Sequence, residues 1–357
     1  MTSLLPKSAV FAAALAAAPL LSGTAAFAVP AGGYGDLVQN VAPAVVFIEV
    51  TGAVSTAQAL PEDLPNAMRE RFNQQQQPQP HNGLGSGFIV SASGQIVTNH
   101  HVVNGAQSVE VTLADGTKHT AEVVGSDPAT DIAVLQIKSD VDLPFVTFGS
   151  SDEMRVGDEV VAMGSPFGLS STVTSGILSG KSRDINSGPY DAFLQTDAAI
   201  NRGNSGGPLF NTAGEVIGVN TAILSPGGGS VGIGFAVPSD MVRDIVADLS
   251  DDGMVTRGWL GVQIRPMSEE VAQVLGYDGA TGAVIEAVSP DSPAAAAGLL
   301  AGDIVLRFDG TQIKELRDLT GAVAAKDPDA KAQIQILRRG SEMTLDVTIG
   351  TLAPQKA

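Results

Sequence analysis

Between residues 85 and 238 the chain repeats one pattern. Short segments of apolar or alternating residues are separated by turns rich in Gly, Asp and Ser. Gly87–Val90, Gln95–Thr98, Ser108–Leu113, Glu122–Val124, Ile132–Ile137, Glu159–Met163, Val216–Thr221 and Gly232–Val237 are examples. Their length and period are those of strands, and Asp115-Gly116 between two of them suits a tight hairpin turn. Nothing in this stretch sustains a helical period, so the pattern predicts an all-β barrel or sandwich rather than alternating strand–helix units. Upstream, Asp36–Val41 is expected to form a helical turn and Val45–Val50 a strand. Residues 51–84 read as a mobile loop, because Asn73–Pro80 (NQQQQPQP) is a low-complexity run with nothing to bury.

The period changes at Pro238. Met241, Val242, Ile245, Val246 and Leu249 fall on one helical face after a Pro238-Ser239 start, and Asp251-Asp252-Gly253 closes the helix. A domain boundary is expected there. Residues 256–352 read as a smaller mixed unit. Leu260–Ile264, Ala283–Val288 and part of Ala301–Gly310 are expected strands, while Ser268–Leu275, stopped by Gly276, and Glu315–Ala325 are expected helices. Ile334 and Ile336 alternate with Gln, and Met343, Leu345, Val347 and Ile349 alternate with polar residues, the period of half-buried strands.

Composition narrows the picture. Hydrophobic residues make up 44% of the 357 and aromatics only 4%, so a sizeable core must be built from branched aliphatics. The formal net charge of −18 argues against nucleic acid as a partner, because its phosphates would be repelled. Residues 1–28 have the form of a secretory signal: Lys7, an apolar run from Ser8 to Leu21, then Ala26-Phe27-Ala28 before a cut after Ala28. That run is shorter than the ~20 residues a bilayer span needs. The chain has no cysteine and four histidines, a poor inventory for a metal enzyme, and no metal or other cofactor is expected.

The local signal for chemistry is Gly203-Asn204-Ser205-Gly206-Gly207-Pro208. A nucleophilic serine needs an exposed hydroxyl and backbone N–H groups aimed at one point, and flanking glycines allow both the tight turn and the approach of a carbonyl. The amides of Gly203 and Ser205 are the candidate oxyanion donors. No Gly-Lys-Ser/Thr follows, which disfavours a nucleotide loop. For a base, His81 beside the Gln-rich run and His119 at a polar strand edge read as solvated surface residues. His100 and His101, at the end of an apolar strand, remain, and the residues alone do not choose between them. For the orienting acid, Asp131 opens the apolar run Ile132–Leu135, where a carboxylate would be partly buried and need a partner. Asp127, before Pro128, reads as a turn residue. The order His, Asp, Ser is that of the chymotrypsin-type arrangement.

Four segments, GSGFIVSASGQIVTNHHVV, SDPATDIAVLQI, DAAINRGNSGGPLFN and SPGGGSVGIGFAVPS, resemble the HtrA (Deg) family of serine proteases in sequence and order. The resemblance runs from about residue 36 to 352. It implies a mostly β chain: a chymotrypsin-like double β-barrel protease domain over 29–250, followed by a small α+β PDZ domain over 256–352. In that family the base immediately precedes a Val-Val pair, which maps it to His101, with Asp131 as the acid and Ser205 as the nucleophile. The implied activity is an ATP-independent serine endopeptidase of the cell envelope, exported to the periplasm, that degrades unfolded or damaged proteins by an acyl-enzyme route.

Trypsin-like enzymes that cut after Lys or Arg carry Asp six residues before the serine, where this chain has Ala199. By resemblance Ile200, Ile223 and Leu224 line a shallow apolar pocket for small aliphatic side chains. Arg183 matches the position of an arginine that senses activation. Trp259-Leu260-Gly261-Val262 resembles the loop that captures a peptide's C-terminal carboxylate, with the peptide added as a strand beside Val262–Ile264. The implied partners are unfolded proteins and C-terminal peptides, and a homotrimer or larger homo-oligomer, with no nucleic acid and no need for membrane association. The alternatives are a holdase-type chaperone and a PDZ adaptor with little proteolysis.

Overall fold

A computed structural model describes residues 33–54, 79–165, 171–185, 187–201, 203–275 and 281–352. The signal segment, its cut after Ala28, the Gln-rich run up to 78 and the Gly276 helix stop lie outside the described residues. A short helix, α1 (Gly35–Val41), precedes the first strand.

Six strands form a first closed barrel: β1 (Val45–Val54), β2 (Gln79–Ile89), β3 (Gln95–Thr98), β4 (Ala106–Thr112), β5 (Lys118–Asp127) and β6 (Ile132–Ile137), in the order β1-β2-β3-β6-β5-β4. Six more form a second: β7 (Glu159–Gly164), β8 (Thr172–Arg183), β9 (Phe193–Thr196), β10 (Pro208–Phe210), β11 (Val216–Ile223) and β12 (Gly234–Pro238). Its order, β7-β8-β9-β12-β11-β10, repeats that of the first. Closure removes the free edges that an open sheet of this length would expose. The cores are aliphatic as the composition requires. Ile48, Ile96 and Leu135 fill the first around Phe88, and Val160, Leu178, Leu194 and Ile217 fill the second.

Three elements differ from the sequence expectation. The loop expected over 51–84 is narrower at both ends, because β1 continues to Val54 and β2 begins at Gln79, with Val54 opposite Gln79. Ladder bonds are made by backbone, so polar residues extend a strand that the hydrophobic period does not reveal. The twelve-residue β8 is missed for the same reason. The two histidines do not end a strand. They open a one-turn helix, α2 (His100–Val103), after β3.

Beyond β12 the helix α3 (Ser239–Asp251) buries Val242, Ile245, Val246 and Leu249, the expected face, and packs on β5, β6 and β11. At its first turn the Asp240 carboxylate accepts the Asp152 N–H at 2.8 Å and the Ser151 and Ser150 hydroxyls at 2.9 and 3.1 Å. Burial pushes the Asp240 pKa up, but these donors and the Arg243 charge outweigh it, so the carboxyl sits below its ordinary range.

The remaining strands are β13 (Gly258–Trp259), β14 (Val262–Pro266), β15 (Ala283–Val288), β16 (Ile304–Phe308), β17 (Thr311–Gln312), β18 (Lys331–Arg338), β19 (Ser341–Thr348) and β20 (Gly350–Thr351). They run β14-β15-β16-β18-β19 in one sheet, with β17 on β16, and β13 pairs β20. The helices here are α4 (Glu269–Leu275), α5 (Pro293–Ala296) and α6 (Leu316–Ala324). Leu260, Ile285, Val305, Phe308, Leu319, Ile334, Ile336 and Val347 form the core. Met343 is exposed despite its place in the alternation. It lies on β19, the edge strand of the sheet, opposite the buried Ile336 of β18.

Asp127, expected from Asp-Pro to be a turn residue, closes β5 just before that turn. It is 6% exposed, and the Arg257 guanidinium reaches both its oxygens, at 3.0 and 2.5 Å. Thr130 Oγ1 donates to the same carboxylate, and Arg257 also stacks on the Tyr190 ring, 4.6 Å from its centroid. This pair fixes the start of the third sheet region to the turn that carries Asp131.

Two outcomes follow. Removing one partner of a nearly buried bidentate pair strands the other charge, so Asp127→Ala or Arg257→Ala is expected to destabilise by about 3 kcal/mol, read as a lowered thermal midpoint. The double replacement Asp127→Ala/Arg257→Met should be milder than either single one. For Asp240 the folded pKa lies below the unfolded one. Its stabilisation is therefore complete above the ordinary carboxylate range and is lost as pH falls through the folded value. Asp240→Asn should flatten the acid side of a plot of Tm against pH.

Candidate active site

α2 and the turn between β5 and β6 set the base and the acid. His101 Nδ1 lies 2.7 Å from Asp131 Oδ2, and the His101 backbone N–H donates to Asp131 Oδ1 at 2.9 Å. An ionised carboxylate only accepts, so the tautomer this contact favours in a neutral ring has the hydrogen on Nδ1 and the lone pair on Nε2. The His101 side chain is 49% exposed and the Asp131 side chain 23%, so the ring faces open space while the acid is half covered. Asp131 has a left-handed backbone with φ 60°, a conformation that costs a non-glycine residue of order 1–2 kcal/mol. Its carbonyl accepts both the His100 N–H at 3.0 Å and Asn99 Nδ2 at 2.9 Å, which holds that turn.

The neighbouring ring is turned elsewhere. His100 Nδ1 pairs with Ser126 Oγ at 3.0 Å. Burial lowers its pKa, against the attraction of Asp131 and Asp127. The choice between the two histidines, open in the sequence, is thus made by the helical turn, which points adjacent side chains about 100° apart. His119 Nδ1 contacts the Lys138 carbonyl at 3.0 Å on an exposed strand. His81 lies in β2, and its side chain is outside the described residues.

Ser205 sits in the turn before β10, half-buried. Gly203 and Gly206 flank Asn204 and Ser205 at φ 111° and 82°, values that side chains with a Cβ rarely adopt. The turn is pinned from the first barrel: the Ser86 N–H donates to the Ser205 carbonyl at 2.9 Å, and Ser86 Oγ donates to the Gly203 carbonyl at 2.6 Å. From β11, the Asn220 carbonyl accepts the Gly206 N–H at 2.7 Å, and the Asn220 N–H donates to the Gly207 carbonyl at 2.9 Å. A Cβ at Gly206 would collide with the Ser86 carbonyl and Thr98 Oγ1 and come within 3.1 Å of Asn99 N. The residue after Ser205 therefore lies against the segment just before His100 and His101. The Asn204 carbonyl accepts the Gly207 N–H at 3.1 Å, and across that trans peptide the Ser205 N–H points the opposite way.

The other expected residues are distributed as follows. Ile200 is buried in the second barrel core, packed where Gly234 lacks a side chain. Ile223 is half-buried at the end of β11, and Leu224 is 63% exposed. The Ser230 N–H of the glycine-rich loop donates to Asn201 Oδ1 at 2.9 Å, tying that loop to the approach to Ser205. Arg183, at the end of β8, donates through Nε to Gln195 Oε1 at 2.9 Å. Trp259 and Leu260 lead into Gly261, which has φ 80° and packs so closely that a Cβ would strike Ser292. Val262 begins β14, an edge strand. A cavity of about 180 Å³ lies between β14 and α6, lined by Leu260, Gly261, Val262, Leu319 and Val323, with Tyr190 at one side.

Sequence reasoning missed Ser86, Asn99, Thr221 and Asn220. Each is a short polar residue in an apolar strand or at its end; Ser86, Asn99 and Asn220 are marked by their burial, and the half-buried Thr221 by the bond it accepts from Asn99. Among the described residues no group of three His, Asp or Glu stands close enough to hold a metal ion, and no helix is long and apolar enough to cross a membrane.

Comparison with known proteins agrees with this architecture. A trypsin-like peptidase domain matches residues 85–219 and a PDZ domain matches 258–349. A probable periplasmic serine endoprotease DegP-like of Rhizobium meliloti (strain 1021) is 48% identical over 268 residues, covering 75% of this chain and 53% of the relative. The DegP-like relative of Brucella suis biovar 1 (strain 1330) is 41% identical, covering 92% of this chain and 70% of its own length. The periplasmic pH-dependent serine endoprotease DegQ of Escherichia coli (strain K12) is 42% identical, covering 94% and 74%. This chain thus spans between about half and three quarters of these relatives. Among solved structures, the HtrA-type protease AlgW with tripeptide superposes with a TM-score of 0.76 at 40% identity, covering 90% of this chain and 98% of that one. The serine endoprotease from Yersinia pestis gives 0.63 at 34% identity, with the same coverage. With two matching six-stranded barrels, a PDZ domain behind them and relatives this similar over most of its length, the chain belongs to the HtrA (Deg) family of trypsin-like serine proteases.

Proposed function

We propose that this chain is an ATP-independent serine endopeptidase of the periplasm that degrades unfolded or damaged proteins. The observation that carries the reading is the His101–Asp131 pair, together with the approach of Gly206, the residue after Ser205, to the segment just before His101. In this mechanism His101 Nε2 takes the Ser205 proton as Oγ attacks a peptide carbonyl. Asp131 stabilises the imidazolium, and the Gly203 and Ser205 amides bind the oxyanion. The imidazolium then protonates the leaving amine, and water releases the acyl group by the reverse proton path. The inward Asn204 carbonyl supports the role given to the Ser205 amide.

Ala199 in place of a carboxylate, with Ile200, Ile223 and Leu224 as the pocket residues the family resemblance implies, supports cleavage after small aliphatic residues. In this reading residues 29–250 carry the chemistry and residues 256–352 bind peptides. The peptide's terminal carboxylate is taken by the amides around Leu260–Val262, and its backbone pairs with the open edge of β14. Arg183 relays the activated state. The relatives' names place them in the periplasm. Removal of residues 1–28 on export and assembly into a homotrimer or larger homo-oligomer complete the proposal.

Three measurements test it. Ser205→Ala is expected to lower cleavage of a denatured protein by at least about 10⁴-fold, and retained cleavage would end the proposal. Mapping the cut sites should give mostly Val and Ala before the scissile bond, whereas frequent cuts after Lys or Arg would remove the pocket assignment. Gly261→Ala, which has no room for its methyl, should abolish binding of a C-terminal peptide measured by calorimetry, as should amidation of the peptide's carboxylate.

A further inference from the structure

We propose that Asn99 is a positioning residue for the reaction: it ties the backbone of the acid, in the first barrel, to Thr221 in the second, and so holds Asp131 against His101. The inference rests on the reading of His101, Asp131 and Ser205 as the reacting groups.

Asn99 directly precedes α2, where an asparagine ordinarily accepts a hydrogen bond from the helix's first free N–H groups. Here the backbone has the extended N-cap conformation, φ −83° and ψ 148°, yet the side chain makes no cap bond. It is instead fully buried, and its Nδ2 donates twice, to the Asp131 carbonyl at 2.9 Å and to Thr221 Oγ1 at 2.7 Å. Among the described residues its Oδ1 is buried with no hydrogen-bond partner. Turning the amide over would set Oδ1 against the Asp131 carbonyl, acceptor against acceptor, so the donating orientation is the one that can exist. A side chain kept for packing or for capping would satisfy its oxygen. This one gives up the cap and leaves its oxygen unbonded in order to donate in both directions.

What it grips accounts for the arrangement. Asp131 is held in a left-handed conformation by two donors on its carbonyl, and one of them is Asn99 Nδ2. Loss of that donor frees the turn to relax and swings the carboxylate from His101. The other end is equally placed. Thr221 follows Asn220, whose backbone bonds fix Gly206 and Gly207 beside Ser205. The chain Asp131–Asn99–Thr221–Asn220–Gly206 is therefore continuous, and it crosses from one barrel to the other. Acid and nucleophile turn share one frame, although Asn99 itself contacts none of the groups assigned to the reaction.

The test compares Asn99→Ala, Asn99→Leu and Thr221→Val with the parent. Asn99→Leu keeps the shape but has no hydrogens to donate and adds no charge, and Thr221→Val removes the second-barrel acceptor along with the Thr221 Oγ1 donation to the Val219 carbonyl. Peptide cleavage is measured per titrated active site over a range of pH. In a Ser205→Ala background, the low-field proton resonance of the His101 Nδ1–H is recorded below the base's pKa. Both Asn99 variants are expected to lower kcat about 10- to 100-fold with KM changed less than about twofold. They should also move the acidic limb of the kcat/KM profile to lower pH, because the imidazolium loses its carboxylate. The resonance should move upfield or vanish, and Thr221→Val should show smaller changes in the same directions. A loss of thermal stability alone, with kcat, the acidic limb and the resonance all as in the parent, overturns the proposal. If neither Asn99 variant folds, Thr221→Val carries the test, and an unchanged resonance in it overturns the tie. A parent whose cleavage does not depend on Ser205 would remove the protease reading instead, while the resonance still tests the tie.

Discussion

Gly206 of the second barrel lies directly against the Ser86 carbonyl, Thr98 Oγ1 and Asn99 N of the first, with no room for a Cβ. The geometry of the site depends on this approach. Each barrel is closed and internally packed, so neither can offer more than its rim, and chemistry that needs groups from both must be assembled across the gap. A glycine at the contact lets two backbones meet where side chains would hold them apart. The bonds from Ser86 to the carbonyls of Gly203 and Ser205 then keep the turn in place.

The cleft is therefore lined by buried polar residues rather than by aliphatics. Ser86, Thr98, Asn99, Asn204 and Asn220 are all below a tenth exposed, and each bonds to backbone across a turn or across the barrels. Such bonds are directional where apolar packing is not, so they can specify the angle of a turn to within a hydrogen-bond cone. They also carry a cost. The unbonded carbonyl oxygens of Asn99 and Asn220 each forgo about 1–3 kcal/mol, and the left-handed Asp131 adds local strain. Both buried side-chain oxygens left unbonded among the described residues lie here, with one of the six left-handed non-glycine residues.

The third sheet region is linked to this site by a short route. Arg257, just before β13, grips Asp127 and stacks on Tyr190. Asp127 in turn receives Thr130, the residue before Asp131. Tyr190 also lies at the side of the cavity between β14 and α6. The turn that carries the acid and the cavity beside the edge strand thus touch the same arginine–tyrosine contact.

That the first unit is all-β and the second mixed was legible in the sequence because both rest on periodicity, and hydrophobic burial imposes the same period wherever a strand or helix covers a core; the pairing of two barrels came only from the family resemblance. The helix at 239–251 and the alternating strand at 331–338 follow for that reason. Glycines around Ser205 were legible too, since φ above zero restricts the residue type. Strand extents at 51–54 and 79–84 were not, because ladder bonds do not depend on side-chain polarity. Which histidine meets Asp131 was given only by the family resemblance, because it is set by the rotation of a one-turn helix. Asp127 looked like any Asp-Pro turn until Arg257, 130 residues away, supplied its partner. Sequence by itself determined where the chain turns, what it buries and which residue types stand at the turns, since these are local consequences of backbone sterics and solvent. Tertiary structure alone decided which distant polar groups meet, because a hydrogen bond between two barrels leaves no period in either strand.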